Sequence, residues 1–176
     1  MFDHSLIGII KLVRFTNQRS NFRAKGDRLF FIFAGHRKFT HNLHTSCKIK
    51  VGFSVLGFVI DDDFSFAKNR FGQIAFDAAM QISAHFPGNR VDSFVVMPNH
   101  IHMILVVKPG GTDATVVVGQ YKSQVSKEIH KIDPKRKIWQ TSFHDHGIRN
   151  YRQYQHIREY IETNPMRWKE DCFFVE

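Results

Sequence analysis

A chain of 176 residues, 43% hydrophobic and 23% charged, can bury one core and is too short for two ordinary ones. Its 25 Lys+Arg against 16 Asp+Glu give a formal net charge of +9, which favours polyanionic partners, nucleic acid first. Cys47 and Cys172 without CxxC spacing exclude a disulfide framework and a thiolate zinc site, and no apolar run reaches the roughly 18–20 residues of a membrane span, so a reducing, cytoplasmic setting without a secretory signal is expected.

The first 66 residues hold eleven of the eighteen phenylalanines yet show no sustained helical or strand period. Leu29–Ala34 and Val51–Ile60 are apolar runs of strand length, but nothing local fixes their partners. From Phe71 the pattern sharpens. Phe71, Ile74, Ala75, Ala78, Ile82 and Phe86 recur at three- and four-residue spacing, which predicts one amphipathic helix ended by Pro87-Gly88-Asn89.

Val91–Met97 and His102–Lys108 read as two strands joined as a hairpin through Pro98-Asn99, and Lys108–Asp113 reads as a loop. A second helix is expected from Gly119 or Gln120 to His130, with Tyr121, Val125 and Ile129 on one stripe and Lys122, Lys127 and Lys131 toward solvent. Phe143–Arg149 reads as a further strand. Asn150 is a natural N-cap for a last helix through Thr163, anchored by Ile157 and Ile161 and stopped by Pro165.

His100-Ile101-His102 lies where the hairpin turn enters its second strand. Residues two apart on a strand share a face, so both imidazoles project one way and Ile101 the other. Eleven histidines make a chance His-x-His unsurprising, but two neutral imidazoles side by side are half of a divalent-metal site. The turn-forming Met97-Pro98-Asn99 places the pair at the mouth of a strand, where side chains are expected to be reachable.

On the last helix His156, Tyr160 and Asn164 fall four apart and form one stripe. If the stripe faces the sheet, Tyr160 approaches the histidine pair, and Asn164 offers an amide oxygen as a third ligand one turn later. A phenol attacks phosphate poorly at neutral pH unless a nearby cation stabilises the developing charge. Spacing alone leaves Tyr121, Tyr151 and Tyr154 open as alternatives, and most helical tyrosines only pack.

Five segments in order, Val96–His102, Tyr121-Lys122-Ser123, Ile138-Trp139-Gln140, His144–Asn150 and Tyr160–Pro165, resemble the single-tyrosine HUH transposases of the IS200-like kind. The nearest likeness is to the branch of REP-associated tyrosine transposases, over roughly Lys68 to Asp171. The resemblance implies an α+β, ferredoxin-like antiparallel sheet with helices packed on one face and a C-terminal tyrosine-bearing helix. It also implies nicking and rejoining of single-stranded, hairpin-bearing DNA through a 5′-phosphotyrosine intermediate, with Mg2+ or Mn2+ as cofactor. Carried over by motif, Tyr160 is the nucleophile, and His100, His102 and Asn164 are metal ligands. Lys122, Arg149 and Arg152 are the candidate DNA contacts, and the pattern does not decide between a monomer and a homodimer.

On this reading 67–176 is the catalytic body of a single-domain chain and 1–66 a divergent N-terminal segment. The glycine- and aromatic-rich opening strand of the pattern is not recognisable in 1–66, which leaves the sheet short of a central member. The alternative is therefore a catalytically inactive protein of the same fold that binds hairpin DNA or RNA. A zinc hydrolase built on His-x-His is a weaker third reading, because the further His or Asp ligands it needs are not visible in the sequence.

Overall fold

The computed structural model describes residues 26–35, 56–60, 65–139 and 143–171. In chain order its elements are β1 (Arg28–Gly35), β2 (Gly57–Ile60), β3 (Ser65–Lys68), α1 (Arg70–Met80), α2 (Ile82–His85), β4 (Asn89–Val96), β5 (His100–Val107), α3 (Ala114–His130), β6 (His144–Ile148), α4 (Tyr151–Thr163) and a 3-10 helix (Asn164–Glu170). Four strands form one antiparallel sheet in the order β4-β5-β1-β6, and β2 pairs with β3 in a separate two-stranded sheet. This is the α+β, ferredoxin-like arrangement with a C-terminal tyrosine-bearing helix that the sequence led us to expect.

All eight residues of β5 are buried, so the strand divides the core by alternation. Ile101, Met103, Leu105 and Val107 pack with Ile32, Ala75, Ala79, Val117, Val125 and Ile129 under α1 and α3. Ile104 and Val106 point the other way and pack with Leu29, Val95, Met97, Ile148, Tyr154, Ile161 and Trp168, the layer that α4 and the 3-10 helix cover. A one-residue slip of β5 would exchange these two sets, so burial on both faces fixes the register.

The strand without identifiable partners is central. Leu29–Ala34 lies within β1, which pairs with β5 on one side (Phe31 opposite Ile104) and β6 on the other (Phe31 opposite His146). Of the run Val51–Ile60, residues 57–60 form β2, and 51–55 lie outside the described residues. The helix expected over Phe71–Phe86 is broken at Gln81 into α1 and α2. α3 starts at Ala114, earlier than expected, because Asp113 caps it by accepting from Thr115 N–H at 2.8 Å. Lys122 is half-buried rather than on the solvated face, its ammonium 5.9 Å from the Phe143 ring centroid, and burial lowers its pKa. α4 matches its expected bounds, with Asn150 Oδ1 accepting from Gln153 N–H at 2.9 Å. Past Pro165 the chain continues as the 3-10 helix.

Leu56 ties α1 to the turn ahead of β5. Its N–H donates to Pro98 O at 2.8 Å, and its carbonyl accepts from Asn69 N–H at 3.1 Å, beside the Asn69 side chain that caps α1. Gly72 makes this approach possible, since a Cβ there would run into the Leu56 carbonyl oxygen. Among the described residues no helix is long and apolar enough to cross a membrane.

Gly72→Ala should therefore destabilise the protein by about 1–3 kcal/mol through overpacking, although alanine is the better helix former by about 1 kcal/mol. Urea unfolding measures it. A midpoint equal to or above that of the wild type would mean that Leu56 does not press on α1.

Candidate metal and tyrosine site

β5 opens with His100, and strand alternation sends His100 and His102 to the α4 side while Ile101 enters the α1–α3 core. The two Nε2 atoms face one another at 3.0 Å. His100 Nδ1–H donates to Asn99 Oδ1 at 2.8 Å, which leaves the His100 lone pair on Nε2. Phe31, from the neighbouring strand, stacks on His102 with centroids 5.4 Å apart and planes 17° from parallel.

The pair is not reachable in the way the turn composition suggested. His100 and His102 are only 1% and 3% exposed, and the 3-10 helix brings the Trp168 ring to 6.0 Å from that of His100. Burial pushes both imidazolium acids down, His102 to about 3 and His100 well below the usual histidine range, with His102 adding to the latter. Both rings are thus neutral near pH 7, the form that ligates metal.

Tyr160 reaches the same spot from α4. Its hydroxyl is 3.5 Å from His102 Nε2, its ring stands edge-on to His102 at 5.1 Å, and the residue is 42% exposed. A buried pair of nitrogen donors therefore sits beneath a phenol that a substrate can reach. The other three tyrosines are placed elsewhere. Tyr121 is buried under α1, donating to Ala75 O at 3.1 Å; Tyr151 stacks against Tyr154, whose hydroxyl donates to Asp92 Oδ2 at 2.7 Å.

The Asp92 contact helps set where α4 lies. A bulge in β4 between Val91 and Ser93 frees Asp92 from the ladder, and its carboxylate takes the Tyr154 hydroxyl on one oxygen and Arg90 at 2.7 Å on the other. Burial, then the Asp92 carboxylate, push the Tyr154 phenol up to about 12, so it stays a donor. Arg158 donates to the Tyr154 hydroxyl at 3.2 Å and to Glu162 at 3.0 Å, one turn further along α4. Together with buried Ile161 these contacts fix the rotation of the helix, and hence the side on which Tyr160 emerges.

Asn164, the expected third ligand, is buried at the end of α4, its N–H donating to Tyr160 O. Its Oδ1 has no hydrogen-bond partner among the described residues. A residue the sequence reading missed stands beside the pair. Asp171, just past the 3-10 helix, places Oδ2 3.8 Å from His100 Nε2, and ligand atoms of His100, His102 and Asp171 all lie within 4.8 Å of one another. Two neutral nitrogens and one carboxylate oxygen suit a divalent ion, so the residues present fit a metal. Asp171 escapes the sequence reading because Pro165 reads as the end of the helix, whereas the chain continues past it as a 3-10 helix.

Of the candidate DNA contacts, Arg149 and Arg152 are exposed beside the start of α4, Arg149 also sharing a surface cleft with Arg28. Lys122 lies on α3, in the opposite helix layer. His156 is exposed on α4.

Residues 69–164 match the model of the family described as "Transposase IS200 like". An uncharacterized protein of Haemophilus influenzae is 30% identical over 116 residues, 54% of this chain and 64% of that protein. The REP-associated tyrosine transposase of Escherichia coli is 34% identical over 77 residues, 44% of each. The chain thus spans less than two thirds of these relatives. A solved structure of a REP-associated tyrosine transposase bound to a REP hairpin superposes with a TM-score of 0.55 at 22% identity, over 80% of this chain and 67% of that one. At that identity the likeness shows the fold.

The buried histidines carry a pH consequence. Their folded pKa values lie below the unfolded value of about 6.5, so as pH falls the unfolded chain binds protons first and is stabilised relative to the folded one. Metal-free protein should keep this contribution above pH 6.5 and lose it progressively toward pH 3. Urea midpoints should drop between pH 7.5 and 5, and drop less in His102→Leu. Equal drops would contradict burial of a neutral imidazole at that position.

Proposed function

We propose that this chain, which belongs to the IS200-like transposase family, is a metal-dependent enzyme that nicks and rejoins single-stranded DNA beside hairpins through a 5′-phosphotyrosine at Tyr160. The observation that carries this reading is the Tyr160 hydroxyl 3.5 Å from His102 Nε2, itself 3.0 Å from His100 Nε2.

The chemistry balances without a nucleotide cofactor. The Tyr160 oxygen bonds to the scissile phosphorus as the P–O3′ bond breaks, and the proton lost by the phenol matches the one gained by the departing 3′-hydroxyl. Attack by a 3′-hydroxyl on the phosphotyrosine reverses the step and rejoins DNA. His102 orients the phenol, and the Phe31 stack holds the His102 ring in that attitude. His100, His102 and Asn164 would hold Mg2+ or Mn2+, with Asp171 beside the pair. Such an ion, when bound, draws negative charge from the phosphate oxygens and so eases nucleophilic attack.

DNA is the fitting partner for a chain of net charge +9. Arg149 and Arg152 stand where a strand approaching α4 would meet them and are proposed as phosphate contacts, with Lys122 as a further one that lies away from Tyr160. Hairpin recognition follows the solved relative, which holds a REP hairpin.

A labelled single strand bearing a hairpin, incubated with the protein and Mn2+ or Mg2+, should yield a covalent protein–DNA band on a denaturing gel. Tyr160→Phe should abolish it and His100→Ala or His102→Ala should reduce it at least a hundredfold, whereas Tyr154→Phe should retain it. Salt-sensitive hairpin binding with no adduct in the wild type would leave only the inactive DNA-binding protein.

A further inference from the structure

We propose that the sheet face between β1 and β6 binds one unpaired nucleotide of the hairpin-bearing DNA strand, its base stacked on Phe30 and its phosphate held by Arg28 and Arg149. The proposal rests on the reading of the chain as a DNA-binding transposase, and it adds a subsite apart from the tyrosine and histidine centre.

Phe30 pairs across the sheet with Gly147, and strand alternation puts Arg28 on the same side as Phe30, its guanidinium 5.8 Å from the ring centroid. One step beyond the Leu29–Ile148 pair, the register sets Arg149 beside Arg28. These four residues, with Leu29 and Ile148, line a cleft of about 290 Å³. Phe30 packs against the α1–α3 core, so the cleft lies on the reverse of the sheet from Tyr160.

Gly147 is the informative residue. Glycine inside a strand weakens it, and is useful there where the backbone needs a positive φ or where another group comes close. Within the described residues Gly147 has neither need: its φ is outside the left-handed region, and a Cβ would meet nothing within 4 Å. What the missing side chain leaves open is the space beside the Phe30 ring. Small-ligand clefts begin at roughly 300 Å³, so the room suits one nucleotide rather than a longer stretch.

Charge identifies the occupant. Like charges side by side on neighbouring strands repel, and among the described residues neither Arg28 nor Arg149 is in an ion pair. The acid whose charge interacts with Arg28 is Asp113, which already accepts from the Thr115 N–H and hydroxyl at 2.8 and 2.6 Å. A phosphate between two guanidiniums replaces repulsion with charge-assisted hydrogen bonds, and the ring beside them takes the flat face of a base. A base inside a duplex has both faces stacked, so only an unpaired one can lie on Phe30. In the order β4-β5-β1-β6, β6 is the outermost strand, and a DNA strand leaving the tyrosine side reaches the cleft by passing round it.

Anisotropy of a labelled hairpin with single-stranded flanks, bound to the full chain while an abasic site is moved along the flanks, tests this. In wild type one position should lose at least about fivefold in affinity, the effect of removing one stacked base. In Gly147→Val, whose side chain fills the space beside Phe30, that penalty should fall below about twofold and the intact flanked hairpin should bind about fivefold more weakly. A flankless hairpin should bind Gly147→Val as it binds wild type. Arg28→Gln should lower the salt dependence of flanked-hairpin binding by about one phosphate contact. The scan in wild type needs no variant and so decides the matter even if a substitution impairs folding.

No sensitive position in wild type, a penalty kept in Gly147→Val, or equal weakening of the flankless hairpin would overturn the subsite. Tighter binding of the same sequence as RNA would overturn DNA as the occupant. Dissociation of a wild-type dimer by Gly147→Val, with DNA affinity unchanged, would assign the face to a second copy of the chain instead. A Tyr160 adduct in wild type with no sensitive position sinks this inference alone, whereas a sensitive position without any adduct sinks the proposed chemistry and leaves the subsite standing.

Discussion

A strand residue cannot choose its face independently of its neighbours, and β5 is where that constraint governs this protein. Ile101, Met103, Leu105 and Val107 are drawn into the α1–α3 core, which obliges His100, His102, Ile104 and Val106 to occupy the other side. Each fully buried aliphatic side chain favours that arrangement by about 1.5–3 kcal/mol. Such a sum far exceeds the cost of turning two neutral imidazoles inward once each has a partner. The apolar half of the strand thereby fixes the polar half.

What the histidines meet on their side is set by a second, polar device. The β4 bulge that frees Asp92 gives α4 a fixed anchor at Tyr154, and Arg158 and Glu162 extend it one turn at a time along the helix. Tyr160 lies between those turns and emerges over His102. After Pro165 the 3-10 helix folds back far enough to bury Trp168 and bring Asp171 to the same pair. One continuous stretch after Asn150 therefore supplies the phenol, a buried amide and a carboxylate around two imidazoles.

Much of this was legible locally. Period-two alternation gave the shared face of His100 and His102, and the 3.6-residue period with an Asn cap gave α4 with its bounds. Three things were not. β1 pairs with residues some seventy and more than a hundred positions later, and as a central strand buried on both faces it shows an apolar run without alternation. The start of α3 is written in β-branched residues, Thr115-Val116-Val117-Val118, whose strand preference is overridden by the Asp113 cap and by burial of Val117 and Val118. Asp171 was hidden because Pro165 reads as the end of the last helix, while packing of Trp168 carries the chain on as a 3-10 helix.

One chain, alone, brings the Tyr160 phenol to its own histidine pair. Mixing Tyr160→Phe protein with His100→Ala/His102→Ala protein and assaying the covalent DNA adduct tests it most directly. Neither variant should form adduct, and the mixture should remain as inactive as either parent. Recovery of a substantial fraction of wild-type adduct in the mixture would contradict the account, because it would mean that phenol and imidazoles meet across two chains.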